Sequence, residues 1–223
     1  SCAVEVKNES GVLRHCKNKN VQPYVPKKYT PPAPVSAPEV SPVVIGAGPA
    51  GLFCALLLAR CGARPILLER GRAVEQRKRD VEHFWRTGEL DLTSNVQFGE
   101  GGAGAFSDGK YNITNDFGGT LYEYIGKEQA LELMHYVDEI NMAYGGEGTK
   151  LYSTAGTKFK KLCIQNKLNL LDASVRHLGT DVNLVVLSNL YDLLKDKVDF
   201  YFDSPVTTIA REGEGYRVTC LLY

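Results

Sequence analysis

The stretch VVIGAGPAG, residues 43–51, decides the fold of this 223-residue chain. Its first three residues, Val43–Ile45, form a β-branched run between proline and glycine, which predicts a short buried strand. An apolar helix is predicted to follow over 49–61, and a second buried strand is predicted over 64–69. Strand, helix and strand within about thirty residues make a βαβ unit. This unit predicts a parallel sheet with a right-handed crossover.

The glycines between the first strand and the helix have the spacing G-x-G-x-x-G, and each has a physical role. Gly46 permits the tight turn, Gly48 leaves room for a pyrophosphate, and Gly51 lets the helix pack close to the sheet. Pro49 suits the first helical turn, where a backbone N–H has no acceptor within the helix. Glu69, at the end of the second strand, is predicted to accept hydrogen bonds from ribose hydroxyls and to repel a 2′-phosphate. The motif favours a dinucleotide site, FAD or NAD, over a glycine turn without a ligand.

The remaining patterns complete an α/β fold with a Rossmann-type parallel sheet. We predict a helical insertion over about 111–180 and a β-meander near the end of the chain. Thr180 and Asp181 are predicted to cap the last helix. The predicted helices beyond the βαβ unit are 73–87, 127–143, 157–168 and 181–196, and the predicted strands are 200–202, 206–210 and 216–222, with a hairpin turn at 213–215.

Two regions are predicted along the chain: an N-terminal tail with a proline-rich linker over 1–42, and a binding domain over 43–223. Seven of the ten prolines lie in residues 21–42. Prolines at this density favour extended chain and exclude helix and inner strand. Two interpretations remain open for this segment, a semi-rigid linker or an arm that lies on the domain.

The composition excludes several classes of protein. Lysine plus arginine equals aspartate plus glutamate at 26 each, so no net field favours nucleic acid or an acidic membrane. The apolar run 52–59 is far shorter than the ~20 residues that span a bilayer. The six cysteines include no C-x-x-C pair and no zinc spacing, so no metal site is predicted. Cys54 and Cys61 are interpreted as buried packing residues in a reducing compartment, which predicts a cytoplasmic protein.

The run VVIGAGPAGLFCALLLARCGARPILLERG, the run NVQFGEGGAGAFSDGK and the later HLGTD together resemble the uncharacterised bacterial FAD-dependent dehydrogenases. These are NAD(P)/FAD-dependent oxidoreductases of the two-dinucleotide-binding-domain flavoprotein superfamily. The resemblance covers residues 41–220 and implies that FAD binds at the first motif and along the glycine-rich stretch 98–110. It also implies that the backbone of Val206 pairs with adenine. The predicted FAD contacts are Gly46, Gly48, Pro49, Ala50, Gly51, Glu69, Arg70, Gly101, Gly102, Ala103, Ser107 and Val206.

The chain departs from this family in one respect, because it contains neither an A-T-G-like turn nor the Gly-Asp whose acid binds the ribityl chain. We therefore expect it to be an incomplete piece of a longer protein. Arg77 belongs to a basic cluster that mainly indicates a solvated helix face. It is also a candidate contact for a ribose or a phosphate, which an arginine fork suits.

Two residues are candidates for chemistry beside a flavin. His177 is a candidate general acid or base, and the alternative is a helix-flanking histidine paired with Asp181. Lys110 is a candidate positive charge near the flavin ring, and the alternative is a turn formed at Asp108-Gly109. The predicted function is an FAD-dependent oxidoreductase of unknown small-molecule substrate, with NAD(P)H as a candidate electron donor. An NAD-dependent dehydrogenase and a non-catalytic dinucleotide-binding module remain alternatives, and the oligomeric state is open.

Overall fold

The computed structural model describes residues 4, 6–25, 27–34, 36 and 38–221. One of the six cysteines, Cys2, one of the seven prolines, Pro26, and the last residue of the predicted strand 216–222 lie outside the described residues. The helices are α1 (Glu9–His15), α2 (Pro49–Arg60), α3 (Val74–Thr87), α4 (Leu121–Ile125), α5 (Lys127–Asn141), α6 (Lys158–Gln165) and α7 (Gly179–Leu194). The strands are β1 (Val43–Ile45), β2 (Ile66–Leu68), β3 (Lys110–Ile113), β4 (Leu151–Ser153), β5 (Ser174–His177), β6 (Asp199–Tyr201), β7 (Val206–Glu212) and β8 (Gly215–Cys220).

The predicted βαβ unit is confirmed. The strands β1 and β2 pair in parallel, and β6 joins the other side of β2, so that Val44, Leu67 and Phe200 lie in one row. Leu67 is fully buried, and α2 and α7 supply much of the core beside it, including Leu56 and Leu190. Burying each of these side chains contributes roughly 1.5–3 kcal/mol to folding. The α/β class with a parallel sheet is therefore correct.

The segment predicted as a helical insertion contains a second sheet. The strands β3, β5 and β4 form an antiparallel sheet in that order, in which Tyr111 pairs with Arg176 and Leu151 also pairs with Arg176. The guanidinium of Arg176 donates to Asp138 of α5 at 2.8 Å and anchors the sheet to that helix. The prediction of a purely helical insertion is wrong, because these three- and four-residue strands are too short to show an alternating apolar pattern.

The end of the chain forms a two-stranded hairpin, β7 and β8, rather than a meander, because β6 belongs to the parallel sheet. The turn at Gly213 is confirmed. The predicted cap of the last helix is wrong, since α7 begins at Gly179 without a side-chain cap. The hydroxyl of Thr180 donates instead to the carbonyl of Ser107 at 2.6 Å. This bond ties the glycine-rich stretch to the start of α7.

The N-terminal segment contacts the domain at α5. Lys28 Nζ lies 2.9 Å from a carboxylate oxygen of Glu139, and the rings of Tyr29 and Tyr136 have centroids 5.0 Å apart. A short helix, α1, also forms within the tail, and the side chain of Asn8 accepts a hydrogen bond from a backbone amide in its first turn. These contacts are of the kind that an arm lying on the domain makes, and the division of the chain at residue 42 stays a prediction.

Two observations bear on the composition argument. Across residues 38–221 and the described part of the N-terminal segment, no helix has the length and apolar character to cross a bilayer.

Cys54, interpreted above as a buried packing residue, is exposed on α2, and Cys61 is only partly buried. That part of the interpretation is wrong, because the face of α2 that carries Cys54 looks into a cavity rather than into packed side chains.

Candidate dinucleotide site

The turn between β1 and α2 has the backbone that the glycine motif predicts. Gly46 has a positive φ of 96°, and its amide donates to the carbonyl of Leu68 at 2.7 Å. A β-carbon on Gly51 would lie 1.9 Å from the carbonyl oxygen of Gly46, so the helix touches the turn directly. A β-carbon on Gly48 would have no neighbour nearer than 4.0 Å. Gly51 is therefore required by packing, whereas Gly48 faces open space.

The glycine-rich stretch lies directly on this turn. The amide of Gly101 donates to the carbonyl of Ala47 at 2.8 Å, which joins the two loops across a separation of more than fifty residues. Gly102 has a φ of 66°, and a β-carbon there would lie 3.1 Å from the α-carbon of Gly48. Side chains would separate these backbones, so the glycines allow two chain segments to form one wall. The structure brings the first two glycines of the motif and the stretch 98–110 together.

The carboxylate of Glu69 connects both loops to the end of β2 and is only 5% exposed. One oxygen accepts from the amide of Ala47 at 2.7 Å, and the other accepts from Gly71 at 2.9 Å and Gly99 at 3.1 Å. A carboxylate has about four acceptor positions, of which these bonds use three. About one acceptor position on Glu69 therefore stays free, and the predicted contact with ribose hydroxyls stays a prediction.

Arg77 is not on a solvated helix face, so that interpretation is wrong for this member of the basic cluster. It is fully buried, while Lys78 and Arg79 beside it are exposed. Its Nε donates to the carbonyl of Asn95 at 2.8 Å, and its Nη1 donates to the carbonyl of Glu100 at 2.6 Å. Burial lowers the pKa of Arg77 to about 10, and the guanidinium stays charged at neutral pH. Arg77 therefore supports the glycine-rich stretch from within.

Glu100 is a buried carboxyl group that the sequence analysis missed. It is 1% exposed, and one of its oxygens accepts from the amide of Val74 at the start of α3, at 2.8 Å. Its other oxygen has no hydrogen-bond partner among the described residues. Burial raises the pKa of Glu100 to about 7, the charge of Glu69 adds to this, and Arg77 and the Val74 amide oppose it. The sequence offered no signal beyond an acid placed among glycines.

The pH dependence of stability should report this buried carboxyl group. Its pKa rises from 4.5 to about 7 on folding, so the folded state binds more protons between these values. Stability should therefore fall as pH rises through this window, by up to ~3 kcal/mol, and level off above it. We expect Glu100→Gln to remove most of this slope in urea denaturation between pH 4 and 8. Glu82→Gln, at an exposed position of α3, is the control, and an unchanged slope in Glu100→Gln would contradict the assignment.

A cavity of about 290 Å³ lies at the carboxyl ends of β1 and β2. The guanidinium of Arg70 stacks over the ring of Phe98 at 3.9 Å on one side of it. Phe98 is a lining residue that the sequence analysis did not single out. Predicted contacts that line this cavity are Gly46, Glu69, Arg70, Gly102 and Val206. The structure thus brings five predicted FAD contacts to one cavity, among them Glu69, predicted for the ribose, and Val206, predicted for adenine.

A second and larger cavity, of about 660 Å³, opens on the other side of the first turn of α2. The predicted residues that line it are Pro49, Ala50, Gly101, Ser107 and Lys110. Ala103 is exposed between the two groups and lines neither cavity. The hydroxyl of Ser107 donates to the carbonyl of Gly104 at 2.7 Å, so this side chain stabilises the conformation of its own loop.

The two candidates for flavin chemistry are neighbours, because Lys110 of β3 pairs with His177 of β5. Both side chains are exposed, and Lys110 Nζ lies 2.6 Å from a carboxylate oxygen of Asp108. The hydrogen bond from Lys110 lowers the pKa of Asp108, and the charges of Lys110 and His177 lower it further. Lys110 reaches the larger cavity, whereas His177 lines neither of the two cavities described here.

Asn183 of α7 is a further residue that only the structure identifies. Its side-chain amide donates to the carbonyls of Gly104 and Ala105 at 3.1 and 3.0 Å, and its oxygen accepts from the hydroxyl of Tyr111 at 2.5 Å. It therefore fastens the glycine-rich stretch to α7 and β3. An asparagine in a predicted helix carries no pattern that indicates such a contact.

Comparison with known protein families gives a match over most of the chain. The model of the FAD binding domain family, FAD_binding_2, matches residues 41–221. An uncharacterised protein of Clostridium beijerinckii is 67% identical over 72 residues, which are 32% of this chain and 14% of that protein. The chain thus spans a small part of this relative.

Solved structures are similar only at a low level. NikD, an amino acid oxidase essential for nikkomycin biosynthesis, is 15% identical with a TM-score of 0.40, over 80% of this chain and 47% of its own. The L-amino acid deaminase from Proteus myxofaciens is 14% identical with a TM-score of 0.31, over 84% of this chain and 44% of its own. The chain spans less than half of either protein, and similarity at these TM-scores carries no information on its chemistry.

Proposed function

From the premise that this chain belongs to the family of FAD binding domains, we propose that it is the cofactor-binding part of an FAD-dependent oxidoreductase. Within that reaction, FAD supplies the flavin ring that takes up electrons from the substrate. The residues of this chain would bind the cofactor, orient it and exclude water from it. Substrate and electron donor are parts of the proposal that the family assignment leaves open.

The observation that carries the proposal is the open cradle in front of Gly48. The protein leaves 4.0 Å or more around the point where a β-carbon of Gly48 would lie, although Gly102 closes one side of it. The first amides of α2 have no acceptor within the helix and lie beside this space. Backbone amides at a helix N-terminus favour an anion such as a pyrophosphate. A space that only glycine leaves free, at the positive end of a helix, fits the FAD pyrophosphate.

The adenosine half would be held in the smaller cavity. One free acceptor position on Glu69 suits a ribose hydroxyl, and the arginine–phenylalanine stack of Arg70 and Phe98 offers a flat surface beside it. Val206 lines the same cavity, and its backbone is proposed to pair with an adenine edge there. Arg77, although a predicted phosphate contact, is proposed instead to position the glycine-rich stretch, because its Nη1 already donates to the carbonyl of Glu100 in that stretch and its Nε to the carbonyl of Asn95 just before it.

A single methyl group at Gly48 should separate cofactor binding from folding. Gly48 has extended backbone angles of −71° and 177°, which alanine adopts without strain. We expect Gly48→Ala to weaken FAD binding about tenfold or more, equivalent to at least ~1.4 kcal/mol, since the methyl group fills the cradle. The melting temperature of the protein without FAD should not change. Flavin fluorescence titration measures the first quantity, and circular dichroism measures the second.

The control is Gly215→Ala, because Gly215 lies in the β7–β8 hairpin with its nearest neighbour at 3.8 Å. This variant should bind FAD as the parent protein does. Equal FAD affinity in the parent protein and Gly48→Ala would contradict the cradle. Tight binding of NADH with no binding of FAD would contradict the proposed function and favour a dehydrogenase that uses NAD at this site.

A further inference from the structure

The larger cavity has the size and the walls of a small-molecule site. Its volume of about 660 Å³ lies in the usual range for ligand pockets. Its walls come from α2, α5, α7 and the glycine-rich stretch, and apolar side chains such as Leu57, Val137 and Leu187 make up most of them. Exposing this much apolar surface to water is unfavourable.

One polar side chain in this cavity lacks a partner. Asn141, the last residue of α5, is 3% exposed and lines the cavity. The carboxamide makes no hydrogen bond to the residues that the structure describes, and its polar atoms stay accessible from the cavity.

The other polar groups of the cavity are already engaged. Asn183 uses its amide on the glycine-rich stretch and its oxygen on Tyr111. Lys110 is the one charged side chain in the described lining, and it is exposed and paired with Asp108. A charged group buried among these walls would therefore have no counter-ion and would be strongly disfavoured. The ligand that fits is uncharged in its buried part.

The position of the cavity connects it to the cofactor. Ala50 and Gly101, both predicted FAD contacts, form part of its wall, and Ser107 lies at the same edge. A molecule in the cavity would therefore lie against the same turn and loop that bind the cofactor. This is the arrangement that electron transfer from a substrate to a flavin requires.

We propose that this cavity binds the substrate, a largely hydrocarbon or aromatic small molecule whose buried part is uncharged and carries one hydrogen-bonding group for the Asn141 carboxamide. That the bound molecule is the substrate rests on the proposed function, whereas the existence of the binding site does not. The carboxamide both donates and accepts, so a hydroxyl, carbonyl, amide or secondary amine satisfies it.

The test uses two fluorescent probes of the same shape, N-phenyl-1-naphthylamine and 1-benzylnaphthalene, of which only the first has an N–H group. We expect the amine to bind the purified protein. Val137→Trp should weaken its binding at least tenfold, because the indole fills the cavity. Gln129→Trp, on an exposed position of the same helix, should leave binding unchanged. Equal affinities in these two variants would overturn the proposal.

A second variant separates the polar contact from packing. Asn141→Leu keeps the size of the side chain, so it should weaken the amine probe about fivefold, as the loss of one hydrogen bond predicts. Binding of the hydrocarbon probe should be equal or tighter. Equal losses for both probes would overturn the role of Asn141.

FAD content, measured in the same samples by absorbance, keeps this inference apart from the proposed function. Probe binding in the presence of saturating FAD supports a site beside the cofactor. Displacement of the probe by FAD overturns the proposal, because the cavity would then hold the cofactor. Probe binding by a protein that takes up no FAD supports the binding site and contradicts the proposed function alone.

Discussion

Replacing Gly51 with alanine is expected to destabilise this protein strongly even without cofactor. The new methyl carbon would lie 1.9 Å from the carbonyl oxygen and 3.0 Å from the carbonyl carbon of Gly46, and both atoms are backbone. Neither α2 nor the turn can move away without losing the contact of the helix with the sheet. A cost of about 3 kcal/mol or more is expected, which corresponds to a decrease in melting temperature of about 6–12 °C.

The neighbouring glycine of the same motif is the matched control. Gly48→Ala adds the same methyl group into open space, so it should lose FAD affinity while its melting temperature stays that of the parent protein. Gly51→Ala should show both a lower FAD affinity and a lower melting temperature. Thermal unfolding of the cofactor-free proteins, followed by circular dichroism, measures the difference. An unchanged melting temperature in Gly51→Ala would show that the helix does not pack against the turn as described.

Arg77→Met should be the most destabilising change outside the glycine motif. The substitution removes donors to the carbonyls of Asn95 and Glu100 and leaves Glu69 without its buried countercharge. Removing one partner of buried charges typically costs 3–5 kcal/mol, so we expect a loss of about that size in urea denaturation. The stretch 98–110 should lose order at the same time, which hydrogen exchange of its amides would detect.

Two further variants define what Arg77 contributes. Arg79→Met, at an exposed position on the same helix, should change stability by no more than about 0.5 kcal/mol. Arg77→Lys should recover little of the loss, because an ammonium group cannot bind carbonyls from two sides as the guanidinium does. Full recovery of stability in Arg77→Lys would indicate that only the positive charge stabilises the protein. Equal losses of stability in Arg77→Met and Arg79→Met would contradict the stabilising role of the buried Arg77 side chain.

The part of the site that could be predicted is the part built from neighbouring residues. The strand at 43–45, the glycine turn and the helix after it depend on local backbone geometry, which glycine, proline and β-branched residues report directly. The same holds for the hairpin at Gly213. The family resemblance extended the predicted site to the stretch 98–110. Five of the predicted contacts line one cavity.

The contacts that could not be predicted join residues far apart in the chain. Arg77 was predicted to be a surface residue because its helix is highly charged. No feature of the neighbouring sequence indicates that one of its several basic side chains is buried. In the antiparallel sheet of β3, β5 and β4, Tyr111 pairs with Arg176, more than sixty residues later in the chain. A four-residue strand is too short to show an alternation of apolar and polar residues, so the sequence does not predict this pairing.

Local sequence was therefore sufficient for the βαβ unit and the type of its ligand site, since a turn of this shape needs only its own residues. The detailed environment of the site came from long-range packing. That packing leaves one acceptor position on Glu69, buries Glu100 beside Arg77, and turns Asn141 into a cavity. Burial and charge at each of these positions are properties of all the surrounding elements together, and no stretch of chain contains them by itself.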